Sequence, residues 1–224
     1  MVQRYFVFLF LPFVVSSIFA KERVHMPVSR DIVFVENRGQ VIDVEGHPRP
    51  DILFTAEASG MKLFCTQRGI SYVLTRVEST DTPRIAKQRI NAALPDTTQR
   101  QSELRTYRLD VEFGEVTAEE VKALEPTVEY FNYYYAHCPE GLTKVPGYRR
   151  LVYHNVYPSI DLALYIRNNK LKYDFIVHPG GNPDDIRLRY RGADSLIRTA
   201  QGALQVITPL GVIGEERPYT YQGQ

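Results

Sequence analysis

The chain of 224 residues has no tryptophan, only two cysteines and almost no net charge, with 27 Lys and Arg against 26 Asp and Glu. A net charge of +1 argues against a nucleic-acid-binding protein, because phosphate recognition normally requires a clear basic excess. The sequence also lacks the GxGxxG, Walker A, EF-hand and GxSxG motifs. The five histidines show no metal-ligand spacing, so we predict no cofactor and no metal site.

No apolar run is long enough to span a bilayer as a helix, which takes about 20 residues. The longest run lies at the amino terminus, where Arg4 precedes an apolar segment at 5–15 and small residues at 16–20. This pattern predicts a signal peptide at 1–20, a flexible lead-in at 21–30 and a single β-rich domain at 31–224. An uncleaved N-terminal anchor is the alternative. We therefore expect export to the periplasm, the cell surface or the medium, with no membrane span after cleavage.

Export would place both cysteines in an oxidising compartment. A disulfide between Cys65 and Cys138 is therefore allowed. The alternative is two unrelated buried thiols, because sequence alone cannot bring two Cα atoms within bonding distance. Two cysteines without a CxxC motif give little support to metal binding.

Short β-prone segments separated by turn residues recur along the chain and predict an all-β fold. The architecture expected is an antiparallel β-sandwich or an open, barrel-like meander. Apolar and polar residues alternate strictly at 107–113, as in a strand with one buried face. Two more alternating segments flank Asn168 and Asn169, which predicts a hairpin. Its apolar pairs would be Ile160–Val177, Leu162–Phe175, Leu164–Tyr173 and Ile166–Leu171.

Two segments depart from this pattern. A polar stretch at about 78–106 is interpreted as an exposed or disordered insertion. The alternative there is a partner-binding loop with a small helix near 85–93. The residues at 118–124 are typical of one or two helical turns, which Pro126 would end.

The predicted hairpin also yields a pair of carboxylates. Asp161 would lie opposite Ile176 and Asp174 opposite Ala163, both on the face away from the apolar pairs. As diagonal neighbours about 7 Å apart, they fall between the carboxylate spacings of retaining and inverting glycosidases. They are the catalytic candidates, and with further oxygen ligands the pair could bind calcium. The alternatives are a structural polar network and a solvated strand face neutralised by neighbouring Lys172 and Arg167.

Two other clusters are candidates for ligand binding. Tyr133 and Tyr135 belong to an aromatic run at 130–135, which either packs in the core or forms a contact surface for glycan or protein. Arg38 follows Glu36 and Asn37 near the predicted domain start. Its guanidinium group either locks the first strand in a polar cluster or contacts a ligand carboxylate.

An ordered series of motifs resembles a known bacterial domain. The series is FVENRGQ at 34–40, DILF at 51–54, YFN at 130–132, VPGY at 145–148, VYHNVYPSIDL at 152–162, LKYDFIV at 171–177, IRLRYRGA at 186–193, TPLG at 208–211 and PYTYQ at 218–222. Together these motifs resemble the uncharacterised N-terminal domain (DUF7948-like) of bacterial surface proteins that carry SBBP-type β-propeller repeats. The resemblance implies a β-rich fold, a secreted or surface location, and propeller or immunoglobulin-like domains downstream in relatives. It implies no catalytic residue.

These observations favour a non-catalytic exported or cell-surface interaction or structural module, whose partner is an unknown surface protein or a glycan. The alternative is a carbohydrate-active module that binds or hydrolyses glycan through Asp161, Asp174 and exposed tyrosines. A hydrolase requires a concave pocket in which two carboxylates converge. A docking module requires an exposed surface or sheet edge with aromatic side chains.

Overall fold

The computed structural model describes residues 6–10, 31–58, 60–80, 101–113 and 118–222. These residues form an all-β structure without an α-helix. The strands are β1 (Phe6–Phe10), β2 (Phe34–Glu36), β3 (Ile52–Ala58), β4 (Met61–Thr66), β5 (Gly69–Thr80), β6 (Gln101–Glu112), β7 (Glu120–Tyr135), β8 (Cys138–Tyr157), β9 (Ile160–Arg167), β10 (Lys170–Val177), β11 (Arg189–Arg191), β12 (Ser195–Arg198), β13 (Leu204–Thr208), β14 (Gly211–Glu215) and β15 (Tyr219–Gln222). A 3₁₀ turn lies at Pro183–Asp185. Among these residues, no helix has the length and hydrophobicity needed to cross a membrane.

Twelve strands form one antiparallel sheet in the order β11-β6-β5-β4-β3-β2-β8-β9-β10-β1-β15, with β7 paired to β8. This sheet curls into a half-barrel. Strands β12, β13 and β14 form a second, small antiparallel sheet. The all-β, antiparallel prediction is confirmed, and the open, barrel-like alternative describes the large sheet.

The main hydrophobic core lies inside the curl of the large sheet. Phe34, Tyr153 and Phe175 are fully buried there. Val206 and Ile213 of the small sheet belong to the same cluster, so the small sheet packs against the inner face of the half-barrel. Removal of these apolar side chains from water is the main force that holds the two sheets together.

One buried carboxylate lies in the contact between the two sheets. Glu215 at the end of β14 accepts hydrogen bonds from the hydroxyl groups of Tyr173 and Tyr190, both at 2.7 Å. Burial raises the pKa of Glu215, although the two tyrosine hydroxyls act in the opposite direction. The contact between the sheets therefore combines apolar packing with a satisfied polar group.

The hairpin predicted at 160–177 is confirmed, pair for pair. Ile160 lies opposite Val177 and Ile166 opposite Leu171, with the two intermediate pairs in the same register. Asn168 and Asn169 form the turn with φ values of 52° and 55°. Asparagine tolerates this left-handed conformation better than most residues, which is why the two-residue turn fixes the register.

The polar insertion is shorter than the predicted span of 78–106. β5 continues to Thr80 and β6 begins at Gln101, and these two residues face each other in the ladder. The β5–β6 hairpin therefore extends into the polar segment at both of its ends. Residues with a weak strand propensity can form a strand there because they pair with a neighbouring strand. The small helix predicted near 85–93 lies outside the described residues.

The helix predicted at 118–124 is wrong. Residues 120–124 belong to β7, which pairs with β8 from Glu120 onwards. Pro126 is part of this strand rather than its end. A proline is tolerated there because β7 has β8 as its one neighbour among the described strands, so its other edge needs no ladder hydrogen bond.

The amino-terminal strand β1 lies between β10 and β15. Phe8, for example, is paired with Phe175 on one side and with Thr220 on the other. The rest of the predicted signal peptide and the predicted lead-in at 21–30 lie outside the described residues.

Candidate functional site

The outer face of the large sheet carries an elongated groove, which we call the outer groove. It consists of two cavities of about 440 and 410 Å³ that share Val41, Ile42 and Phe64. A row of paired residues crosses five strands along its floor: Thr55, Phe64, Ser71, Asp110 and Arg191. Four inter-strand spacings make this row roughly 19 Å long, which suits an extended ligand.

One wall of the outer groove is the loop between β2 and β3, and Asn37 holds both ends of that loop. The Asn37 amide donates hydrogen bonds to the carbonyl oxygens of Arg49 and Ile52, both at 2.8 Å. Its Oδ1 accepts from the backbone N–H groups of Gly39 at 3.0 Å and Val41 at 3.3 Å. One side chain therefore fixes the wall against the first residue of β3.

Arg38, a predicted ligand-binding residue, does not line either cavity. Its guanidinium group pairs with Glu36 at 2.9 Å on the protein surface. The neighbouring Gln40 does line the groove, and its amide donates to the Glu36 carbonyl while its oxygen accepts from the Arg38 N–H. These contacts favour the structural interpretation of this motif, as a polar cluster that supports the loop.

The cavity of about 410 Å³ forms the aromatic half of the groove. Both predicted tyrosines line it, and the structure adds His137. The rings of Tyr133 and Tyr135 stack with centroids 5.8 Å apart, and those of Tyr135 and His137 with centroids 5.3 Å apart. Tyr133 also packs on a small apolar cluster around Val145, whereas Tyr135 is 46% exposed. The aromatic run therefore divides between packing and an exposed row of rings.

The cavity of about 440 Å³ forms the arginine half of the groove, where five arginines and three carboxylates face the solvent. Three of the arginines are neutralised by close ion pairs, which are Arg49–Asp51 at 2.7 Å, Arg108–Asp110 at 2.8 Å and Arg191–Glu112 at 2.9 Å. Arg68 and Arg189 have no carboxylate within 4 Å among the described residues. Sequence reasoning missed this cluster because its arginines come from separate turns and strands that only the sheet order brings together.

The first carboxylate candidate, Asp161, is surrounded by hydrogen-bond donors. Its Oδ2 lies 3.1 Å from Nδ1 of His154 and 3.0 Å from Nε2 of His178, and its Oδ1 accepts the Asn155 N–H at 2.9 Å. Burial acts to raise the pKa of Asp161, but these hydrogen bonds and the two imidazoles lower it overall. The sequence alone predicted no role for these histidines. The hairpin register could have predicted the contact of His178 with Asp161, because His178 follows Val177 and Asp161 follows Ile160, the partner of Val177.

The second candidate, Asp174, lies in a different environment. Its Oδ1 accepts a hydrogen bond from the Tyr165 hydroxyl at 3.1 Å. Burial raises the pKa of Asp174 to about 6, although Tyr165, Arg150 and Lys172 act in the opposite direction. The carboxyl group therefore titrates between the usual aspartate range and neutrality.

The interpretation of this face as solvated is wrong, because Asp161 and Asp174 are only 8% and 7% exposed. The register that places them as diagonal neighbours is confirmed. Neither carboxylate lines the outer groove or the two cavities beside Glu215. Two carboxyl groups with opposite pKa shifts have the electrostatics of an acid–base pair, but their side chains are almost completely buried. Their contacts favour a structural polar network.

Replacing Asp174 by asparagine should remove a pH-dependent loss of stability. A raised pKa means that the folded state favours the protonated carboxyl group, so the wild type loses stability as the pH rises from about 4 to about 6. The Asp174→Asn variant stays neutral and can still accept from Tyr165. We expect it to gain about 2 kcal/mol relative to the wild type between pH 4 and pH 7.5, measured by urea denaturation at both values.

Asp161→Asn is the matched control, and its expected change in stability has the opposite sign. A lowered pKa stabilises the fold above the unfolded value of about 4, and this contribution is lost as the pH falls. The Asp161→Asn variant should therefore lose about 1–2 kcal/mol at pH 7.5, and the difference should shrink towards pH 3. Equal effects of the two substitutions would contradict the assignment of distinct environments.

The two cysteines are free thiols, so the disulfide that the sequence allowed is not formed. Cys65 is fully buried in the core, and burial raises the pKa of its thiol to about 12. Cys138 is only half-buried, and its thiol contacts the Gly39 carbonyl oxygen at 3.6 Å. The alternative of two unrelated buried thiols therefore holds for Cys65, whereas Cys138 is only partly buried.

One group of side chains has the spacing of a metal site among the residues that are described. Ligand atoms of Asp43, Glu45 and His47 lie within 4.8 Å of one another. The Asp43 carboxylate already accepts the backbone N–H groups of Glu45 at 2.9 Å and His47 at 2.8 Å. This geometry is that of an Asx-type turn on the surface, and we assign no metal to it.

Comparison with known proteins gives one match. A family model described as "Domain of unknown function (DUF7948)" matches residues 34–224. No curated protein and no solved structure matches the chain. The matched range starts at the first residue of β2 and includes both halves of the outer groove and the Asp161 and Asp174 environments.

Proposed function

The chain belongs to the DUF7948 family, and from this membership and the geometry of the outer groove we propose that it is a non-catalytic, exported interaction module of the bacterial cell surface. The observation that carries this proposal is the position of the groove. It is open on the solvent side of a rigid sheet, as a surface that holds a partner must be. The resemblance of the ordered motifs further suggests a module found at the amino-terminal end of surface proteins with SBBP-type β-propeller repeats.

The carboxylates of the arginine half and of the β9–β10 hairpin support binding over turnover. Asp161 and Asp174 are buried away from the groove. In the arginine half, each of the three carboxylates is paired with an arginine. A general acid or base needs a free carboxyl group within reach of the scissile bond, and the groove offers none in its arginine half.

Export is tested by fractionation of cells that produce the full chain with a carboxy-terminal epitope tag. We expect a tagged product in the periplasm, at the surface or in the medium, with its amino terminus near Lys21. A control with Leu11→Arg and Val14→Arg interrupts the apolar segment and should retain the product in the cytosol. A wild-type product that stays cytosolic with residues 1–20 attached would overturn the proposal.

Glycan binding is the second candidate function, and the row of Tyr133, Tyr135 and His137 favours it. Tyrosine rings provide large, rigid contact area together with a polar hydroxyl group, which suits the mixed surface of a sugar. The row lies in the wall of a cavity rather than on a flat surface. We therefore favour glycan binding in the aromatic half. We do not propose hydrolysis, because Asp161 and Asp174, the predicted catalytic residues, lie outside the groove.

A glycan array with a reducing-end assay tests this second function. We expect binding without release of new reducing ends, and Tyr135→Ala should weaken the affinity by roughly fivefold to tenfold. Tyr134 is the matched control, because it is 74% exposed and does not line the cavity. Tyr134→Ala should leave the affinity unchanged. Equal losses in both variants, or release of reducing ends, would contradict this function.

A further inference from the structure

We infer that the outer groove binds an acidic polysaccharide, with sugar rings against the aromatic half and carboxylate groups against Arg68 and Arg189. The inference rests on the proposed function and adds the chemical class of the ligand. It joins the two cavities into a single extended site, because they share Val41, Ile42 and Phe64.

The charge of the groove is the first argument for an anionic ligand. Five arginines against three carboxylates give its arginine half a net charge of +2, whereas the whole chain carries only +1. A concave surface with an excess of one sign concentrates ligands of the opposite sign. The guanidinium group also matches the planar geometry of a carboxylate through two parallel hydrogen bonds.

The second argument is the position of Arg68 and Arg189, the two arginines of the groove that have no ion pair among the described residues. Arg68 lies in the turn between β4 and β5, next to Gly69, and Arg189 begins β11. Gly69 and Arg189 both face Glu112 in the ladder, one on each side of β6. Arg68 and Arg189 therefore lie at the same end of the groove, about two inter-strand spacings apart, or roughly 10 Å. Both are exposed and can reorient towards a ligand.

The strand order argues against a peptide that adds as a further strand along the floor of the groove from β3 to β6. β3, β4, β5 and β6 are interior strands with a neighbour on both sides. Their backbone groups are therefore used within the sheet, and a peptide cannot add to them as a further strand. Along these four strands recognition has to come from side chains, namely rings at one end and guanidinium groups at the other. Of the five strands in the floor of the groove, only β11 has an edge without a described strand neighbour.

Calorimetric titration of the chain with oligogalacturonate tests the inference. The fully methyl-esterified oligomer is the matched ligand, because it keeps the sugar rings and loses the carboxylates. We expect the charged oligomer to bind at least about tenfold more tightly, with an affinity that falls as the salt concentration rises. Arg68→Ala combined with Arg189→Ala should remove this preference. Neither arginine has a described ion pair, so the double variant should fold normally, as circular dichroism will check.

Arg198→Ala is the protein control, because Arg198 is an exposed arginine on the small sheet, outside the groove. It should retain the preference for the charged oligomer. Equal binding of charged and esterified oligomers, or an unchanged preference in the double arginine variant, would overturn the inference and leave neutral glycan binding intact. Failure of every oligomer to bind would remove both the inference and the glycan function, while export would still be decided by fractionation.

Discussion

Replacing Phe175 by alanine is expected to lower the free energy of unfolding by about 3–5 kcal/mol. The side chain is fully buried, and its ring lies 6.2 Å from that of Tyr157 and 6.0 Å from that of Tyr173, between centroids. Its removal leaves a cavity in the cluster that the large and small sheets share. The loss of stability therefore has two contributions, the lost transfer free energy of the ring and the cost of the cavity. The cavity persists because a closely packed core relaxes only partly around it.

Ile176→Ala is the matched control for Phe175→Ala. Ile176 is the next residue of β10, so its side chain points to the opposite face of the sheet, where it is half-buried. We expect less than half of the loss seen for Phe175. Urea denaturation followed by tyrosine fluorescence and circular dichroism measures both, since the chain has no tryptophan. Similar losses would mean that the core does not lie on the Phe175 face.

Replacing Asn37 by alanine is expected to lower the free energy of unfolding by about 2–4 kcal/mol and to abolish ligand binding in the outer groove. The side chain makes four hydrogen bonds with the backbone of the loop and of β3. At roughly 1 kcal/mol for each bond, their loss is large for a single surface loop. The wall that carries Val41 and Ile42 would then lose its fixed position next to Phe64.

Arg38→Ala is the matched control, because Arg38 is adjacent to Asn37 but its side chain does not support the wall of the groove. Its ion pair with Glu36 is on the surface, where such pairs contribute little, so we expect a change within about 0.5 kcal/mol. Amide hydrogen exchange at Gly39 and Val41 should accelerate in Asn37→Ala and stay slow in Arg38→Ala. A larger effect of Arg38 than of Asn37 on either measurement would contradict the role assigned to Asn37.

The sequence predicted the β9–β10 hairpin to the residue because two independent signals agreed there. Strict alternation defined the buried face, and Asn168 with Asn169 fixed the turn. At 118–124 the only signal was local composition, which suits a helix. Pairing with β8 overrode that preference, and the same pairing placed Pro126 inside a strand.

The outer groove could be predicted only in part. Tyr133 and Tyr135 were found because they are close together in the sequence and alternate along one strand. The arginine half depends on β11 pairing with β6, two strands separated by more than 70 residues. Local periodicity carries no information about such a contact. Burial of Asp161 and Asp174 was missed for a similar reason, because alternation within a hairpin does not reveal what covers its second face.

The place of β1 gives the proposed cleavage of the signal peptide a structural consequence. β15 has β1 as its one described strand neighbour, and β10 has β1 on the side away from β9. Cleavage after residue 20 and release of residues 1–20 would leave β15 without its described strand neighbour and would expose the backbone groups of β10 along one edge. The processed protein would then present an unpaired strand edge that the full chain lacks, and another extended backbone can pair with that edge.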